Sequence, residues 1–503
     1  MKLALEIMII LKSACRLILQ PIFLTSIKHG SDHDGQVASK LFLSHVLAGL
    51  FVIFGVVSGE NTSDDTVVLG KWAVLTVSVS FGLISILSLL ISSCRKRQIT
   101  QCGNTNEDPS IHLQLGFLWI FSLAFVTYLS LKIIIFLECV VTRPDDTVFN
   151  SFLFFSNLIY FLFIVSQIVL LTYYKRTQLK SSFHLHFSIV CIISANFSLW
   201  YSSTIHNMFA NGNSTGVYNN SCFHASEIQR TLGRKVSSML LPPQLEFCIL
   251  ASALLLTLWQ QAQECKTNEV HSTYCLLSGD VNAKCVYVAS KGINGIYILA
   301  LIFGMIINSL HFISTVLLNF AYEWKNKNMT VVYDVGQILY SISVCVIVYV
   351  CSHQMKLNFM FTRRSLIFRE YILIFSSVGI MAFFTFEVLA GFSGISFSKF
   401  IIFSSTFGML ETFLQTLLLI NSSRFKILQS GSKVISSCSI ILVITNLTYW
   451  LENSYNKGIV LLTRNNDNSS FNFVDIILVP LIVFYRFFSG ISAYSMYKRF
   501  KIK

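Results

Sequence analysis

The stretch Ala195–Ser203 reads ANFSLWYSS, and a near-copy, TNLTYWLEN, occupies Thr445–Asn453. Both carry Asn-x-x-x-Trp, as Asn196/Trp200 and Asn446/Trp450, and both sit inside long apolar runs, near 184–206 and 431–452. A buried amide without a partner costs several kcal/mol in hydrocarbon. A chain that places the same amide and indole twice in such runs must supply each with a neighbouring helix or with water. Residues four apart share one helix face, so each indole can shield its amide from lipid.

Working outward, the surroundings are apolar throughout. Of 503 residues 54% are hydrophobic and 12% charged, against about 25% charged in soluble proteins, and the mean hydropathy is +0.65. Twelve runs reach membrane-spanning length at about 1.5 Å per residue across a core of about 30 Å. They lie near 41–58, 70–93, 112–137, 149–174, 184–206, 240–259, 288–315, 330–352, 367–393, 399–421, 431–452 and 473–497. The sequence thus predicts an all-α, polytopic membrane protein. The segments between the runs give an independent check. CRKRQ (94–98), YKRTQLK (174–180), FTRRS (361–365), RFK (424–426) and YKRFKIK (497–503) are basic and belong on the cytoplasmic side. The alternate loops carry glycosylation sequons at Asn61, Asn213, Asn219, Asn328 and Asn468, which mean something only on the opposite side. Both termini are then expected in the cytoplasm and the protein in the plasma membrane.

The formal charge of +13 is spread over these segments as the positive-inside rule requires, so no nucleic-acid partner is implied. The 13 cysteines show no CxxC pair or zinc spacing, and neither a metal nor a cofactor is expected. Cys139 and Cys222 fall in segments expected outside, where a bridge between them is allowed. Residues 1–40 form a cytoplasmic N-terminal segment; its opening 26 residues are interrupted by Glu6, Lys12 and Arg16, which fits an interfacial helix better than a signal core.

The two Asn-x-x-x-Trp copies also align the halves of the chain. Gln167 precedes Asn196 by 196−167 = 29 residues, and Gln415 precedes Asn446 by 446−415 = 31. A Pro-led run follows each, at Pro242 and Pro480. The expected organisation is therefore two pseudo-equivalent six-helix halves, 41–260 and 288–503, joined by a polar cytoplasmic linker at 261–287, with the parallel symmetry of an internal duplication. In the first half Glu246 adds an intramembrane acid to Gln167 and Asn196, and such acids usually mark ion or proton paths. The second half has Phe484 at the corresponding place and offers Glu411, Glu387 and Asp334 instead; each reads equally well as an ordinary interhelical acid. A lone intramembrane amide, for its part, more often joins helices than lines a path.

These segments resemble the otopetrin family. IISANFSLW (192–200) is similar to its His-x-x-x-x-Asn-Leu-x-x-Trp segment, LPPQLEFCILAS (241–252) to its Pro-x-x-x-Glu segment, LQTLLLIN (414–421) to its Leu-Gln-Thr-Leu-Phe-Ile-Leu-Asp, and VPLIVFYRFFSGISAY (479–494) to its last-span signature. The resemblance is clear over spans four to six and ten to twelve and fainter elsewhere. It implies a proton-selective channel opened by extracellular acid, built as a homodimer of twelve-helix subunits with lipid or sterol between the halves or at the dimer interface. It places the path on Gln167, Asn196, Glu246, Gln415 and Asn446 and matches Tyr485 and Arg486 to the last-span signature, for structural or gating roles; Glu387, Glu411 and Asp334 from the reading of the spans remain further path candidates, and Trp200 and Trp450 structural ones. Three positions depart from the pattern: Cys191 and Phe488 stand where it has histidines, and Asn421 where it has Asp. A proton-coupled solute transporter also suits twelve spans, but its Gly/Pro-broken helices are scarce with 6 Pro. A non-conducting otopetrin-like protein is the other alternative. No HExxH, GxSxG or phosphate loop argues for an enzyme.

Overall fold

The computed structural model describes residues 42–54, 65–95, 110–142, 147–174, 183–210, 240, 242–259, 295–320, 327–358, 360–361, 366, 368–392, 400–426, 432–455 and 469–501. The expected N-terminal interfacial helix, the linker 261–287, the sequon residues Asn61, Asn213, Asn219 and Asn468, and Cys222 lie outside these. Cys139 is disulfide-bonded. Asn328 falls in the first turn of a helix.

Among the described residues there are twelve helices. They are α1 (Phe42–Phe54), α2 (Asp65–Arg95), α3 (Ile111–Thr142), α4 (Thr147–Tyr174), α5 (Phe183–Ala210) and α6 (Pro242–Trp259), then α7 (Gly295–Phe320), α8 (Lys327–Asn358), α9 (Phe368–Phe392), α10 (Ile401–Ser422), α11 (Lys433–Tyr455) and α12 (Ser469–Phe500). Ten are long and apolar enough to cross a membrane; the described apolar stretches of α1 and α7 are shorter. One pair of two-residue strands, β1 (Met360–Phe361) and β2 (Phe425–Lys426), is antiparallel. The chain is an all-helical polytopic membrane protein. A helix satisfies its own backbone, which is why this architecture suits hydrocarbon. The side chains follow the same logic. Leu123 and Phe375 are 69% and 68% exposed on helix flanks, whereas Gln167, Asn196, Gln415 and Asn446 are each 0% exposed.

The chain divides into two compact units, Met1–Thr105 with Phe117–Asp280, and Asn106–Gly116 with Val281–Lys503. In the first, α2 packs on α4 and α5. Its antiparallel register on α5 is fixed by Ser88 Oγ with His184 Nε2 (2.7 Å) and Ser78 Oγ with Ser198 Oγ (2.8 Å). Between these pairs α2 presents Gly82, where a Cβ would stand 2.7 Å from Ala195 Cβ and 2.8 Å from Phe163 Cε2. Gly82→Leu is therefore expected to destabilise by roughly 1–3 kcal/mol through overpacking, read as a lower unfolding temperature in detergent. An unchanged temperature would mean that α2 does not sit against α4 and α5 as described.

In the second unit α8 packs on α7, α10 and α11, and α12 on α9, α10 and α11. The packing of α2 with α4 and α5 thus recurs as α8 with α10 and α11, the helices paired by the sequence alignment of the halves. Pro480 lies inside α12, while Pro242 opens α6. A proline at a first helical position forfeits only an amide that has no intrahelical partner, whereas one in the interior removes a bond from the ladder. The two Pro-led runs are consequently built differently.

Candidate functional site

Equivalent positions in the two units carry the same amides, bonded to each other in one and not in the other. In the second unit Gln415 Nε2, on α10, donates to Asn446 Oδ1, on α11, at 2.8 Å, and Asn446 Nδ2 donates to the Leu442 carbonyl one turn back at 2.7 Å. In the first unit Gln167 on α4 and Asn196 on α5 are just as buried, but all four of their side-chain polar atoms lack a hydrogen-bond partner among the described residues. The Trp200 Nε1–H, one turn beyond Asn196, also has none. Each such buried group costs about 1–3 kcal/mol if left dry, so a cluster of them calls for water or another mobile donor. Glu246 on α6 is 4% exposed. Further along, Gln244 Nε2 donates to Ser203 Oγ at 2.5 Å, joining α6 to α5.

In the second unit Gln415 Oε1 has no hydrogen-bond partner among the described residues either, but the groups around it are bonded. Glu411, one turn before Gln415, receives both terminal nitrogens of Arg486, at 2.7 and 2.9 Å, and the two residues are 0% and 1% exposed. The guanidinium also lies over the rings of Tyr449, Tyr485 and Tyr340, at 5.1, 5.7 and 5.8 Å from their centroids. Tyr340 and Tyr449 stack at 4.0 Å, and Tyr449 Oη donates to Gln337 Oε1 at 2.6 Å. The Tyr485 hydroxyl meets Thr416 Oγ1 at 2.9 Å and donates to the Thr412 carbonyl at 3.1 Å. The result is a buried string of polar groups tied into the protein along α8, α10, α11 and α12.

The remaining acids named from the sequence lie nearer the opposite ends of these helices. Glu387 accepts from Ser405 Oγ at 2.7 Å and Asp334 from Ser404 Oγ at 3.5 Å. Glu452, near the end of α11, is buried as well, at 7% exposed. Sequence reasoning passed over Glu452 although it stands two residues after Trp450; with Tyr449 it could have been picked out by following α11 from Asn446 in helical steps. Trp450 packs on Phe487 at 5.4 Å.

Reading the first unit by the same offsets shows what it lacks. The position of Glu411, four before the Gln, is Phe163; that of Arg486, six after the Pro, is Cys248; that of Tyr485 is Phe247. All three are buried, at 0%, 1% and 0% exposed. The first unit therefore replaces an ion pair and its phenol with apolar side chains, and carries Glu246 where the second has Phe484. Arg486 keeps its proton at any relevant pH and Glu411 has both oxygens engaged, so that pair cannot readily pass protons. The first unit offers a carboxyl group and two amides that remain able to donate and accept.

The residues 202–487 match a protein-family model described as Otopetrin, a match that covers more than half of the chain and includes Glu246, Glu411, Gln415, Asn446, Tyr485 and Arg486. No curated protein matches the chain.

Proposed function

The chain belongs to the otopetrin family, a family of proton channels and not of enzymes, and on that premise we propose that it is a proton-selective channel that admits protons when the outside is acidified, with its path through the first six-helix half. The observation that carries this reading is the set of four unpartnered, fully buried polar atoms of Gln167 and Asn196. Protons move by exchange along water and side chains that can both donate and accept. The amides orient such water, and Glu246 supplies a group that can bind and release a proton in a membrane interior. Gln415 and Asn446 are already bonded to each other, beside a fixed guanidinium that repels a second positive charge. In this reading the second half is mainly a rigid polar core.

The distribution of basic segments supports a reading with both termini in the cytoplasm and the sequon-bearing loops outside a plasma membrane. The exposed apolar flanks are surfaces for lipid or sterol and for the second subunit of a homodimer.

A whole-cell recording tests the function. Stepping external pH down, with sodium and chloride replaced, should evoke an inward current. Its reversal potential should move by about 59 mV per unit of proton gradient, the Nernst slope that corresponds to 1.4 kcal/mol per tenfold ratio. A reversal that follows sodium or chloride defeats proton selectivity. Surface-expressed protein without current points to the transporter or non-conducting alternatives, which Cys191 and Phe488 in place of two family imidazoles make worth resolving.

A further inference from the structure

One end of the first unit holds two histidines that the path described so far does not use. His184 and His186 stand in the first turn of α5, next to the basic segment 174–180 that the charge rule assigns to the cytoplasm. His184 Nε2 meets Ser88 Oγ near the end of α2 at 2.7 Å. His186 Nδ1 receives the indole N–H of Trp259, the last residue of α6, at 2.6 Å, with the ring centroids 5.9 Å apart. Trp259 is 1% exposed and is the largest of the fully buried side chains. An indole N–H can only donate, so His186 Nδ1 is the acceptor and a neutral ring carries its proton on Nε2. Protonation of Nδ1 and this hydrogen bond exclude each other.

The axial order makes the placement meaningful. Asn196 lies ten residues beyond His186 on α5, about 15 Å, and Glu246 lies thirteen residues before Trp259 on α6, about 20 Å. Between them α2 and α5 share further polar contacts, Ser85 with the Cys191 thiol and Ser78 with Ser198. Ser88 of α2 meets the His184 ring and Trp259 of α6 meets the His186 ring. The other titratable residues with described side chains on these elements are Lys71 on α2, Cys191 and Tyr201 on α5, and Glu246 and Cys248 on α6. On α4, Tyr174 donates to the Leu89 carbonyl.

We propose that His186 is the inner relay of the first-half path and that Trp259 is its latch. This rests on the channel reading above. A proton arriving from the side of Asn196 binds Nδ1 and displaces the indole N–H; the proton on Nε2 then leaves toward the cytoplasm, by way of His184 or water. The ring is then neutral with its proton on Nδ1; a water-mediated transfer of that proton to Nε2 restores the starting tautomer, and the bared Nδ1 again accepts the indole N–H. When the cytoplasm is acidic enough to keep both ring nitrogens protonated, Nδ1 cannot accept the next proton and the relay stalls.

Two measurements decide this. With external pH held low and internal pH set through the pipette, wild-type current should fall several-fold, beyond the loss of driving force, as internal pH drops through about 6.5, the ordinary imidazole range. His186→Gln should reduce the current and remove that dependence. The second measurement needs no conduction. In purified protein in nanodiscs, the fluorescence of Trp259, taken as wild type minus Trp259→Phe, should titrate in the same range because imidazolium quenches a neighbouring indole. The titration should vanish in His186→Gln and persist in His184→Gln. A Trp259 signal that does not titrate, or that titrates unchanged in His186→Gln, overturns the proposal even if the protein conducts. If the protein carries no proton current while the signal titrates as expected, the channel reading fails and the relay role falls with it. Wild-type current with an internal-pH dependence that survives in His186→Gln also overturns it.

Discussion

Arg486→Met, made alone, is expected to lower the stability of the protein by about 3–5 kcal/mol, the cost of leaving a buried carboxylate without its partner. Glu411 and Arg486 are 0% and 1% exposed and joined through two hydrogen bonds of 2.7 and 2.9 Å. Removing the guanidinium leaves Glu411 charged in a low-dielectric interior, or forces it to take up a proton. It also empties the space between Tyr340, Tyr449 and Tyr485. The double variant Glu411→Leu/Arg486→Met removes both charges and should recover most of the loss, since apolar side chains of similar volume often replace a buried pair at little cost. Thermal unfolding in detergent, followed by size-exclusion chromatography, reads both. A single variant as stable as wild type would show that the pair is not formed. The double variant has a second use: if protons pass through the first half, its acid-evoked current stays close to wild type once surface amounts are matched.

Glu246→Gln is expected to reduce acid-evoked current about tenfold, equivalent to about 1.4 kcal/mol on the transfer barrier, with surface expression retained. Glutamine matches the shape of the carboxyl group and its hydrogen bonding but cannot exchange a proton at any working pH. Asn196→Leu should act in the same direction, because it removes a donor and an acceptor that no protein group occupies. Gln415→Leu should instead act chiefly on stability, since its amide is engaged with Asn446. Currents measured against surface-biotinylated protein separate the two effects. Wild-type current from Glu246→Gln at every external pH would remove Glu246 from the path.

The same pairs show how far the site can be read in the chain. Gln167, Asn196, Gln415 and Asn446 were legible as intramembrane amides because polar residues stand out against apolar runs, and all four are fully buried. Glu411 and Arg486 were both picked out, but not as partners: they lie 75 residues apart on α10 and α12. Tyr449 and Gln337, 112 residues apart, left no local trace of their bond. His186 and Trp259 were not singled out at all, since a histidine at the head of a helix and a tryptophan at the foot of another are ordinary at membrane interfaces.

What the sequence by itself determined is the class of fold and the number of helices. Hydrocarbon offers no partner to a backbone amide, so every long apolar run must satisfy itself as a helix. The ends of those helices fell within a few residues of the predicted ones at α2, α4, α6 and α12. At α7 the first predicted residues, 288–294, lie outside the described ones. The sequence also suggested two related halves, from repeated residues at similar spacing, 29 and 31 residues. What only the tertiary structure decided is which polar groups find each other. These helices are apolar nearly all round, so periodicity does not say which face turns inward, and a hydrogen bond needs two faces brought to within 3 Å by the register of separate helices. That register locks Gln415 to Asn446 in one half and leaves Gln167 and Asn196 open in the other.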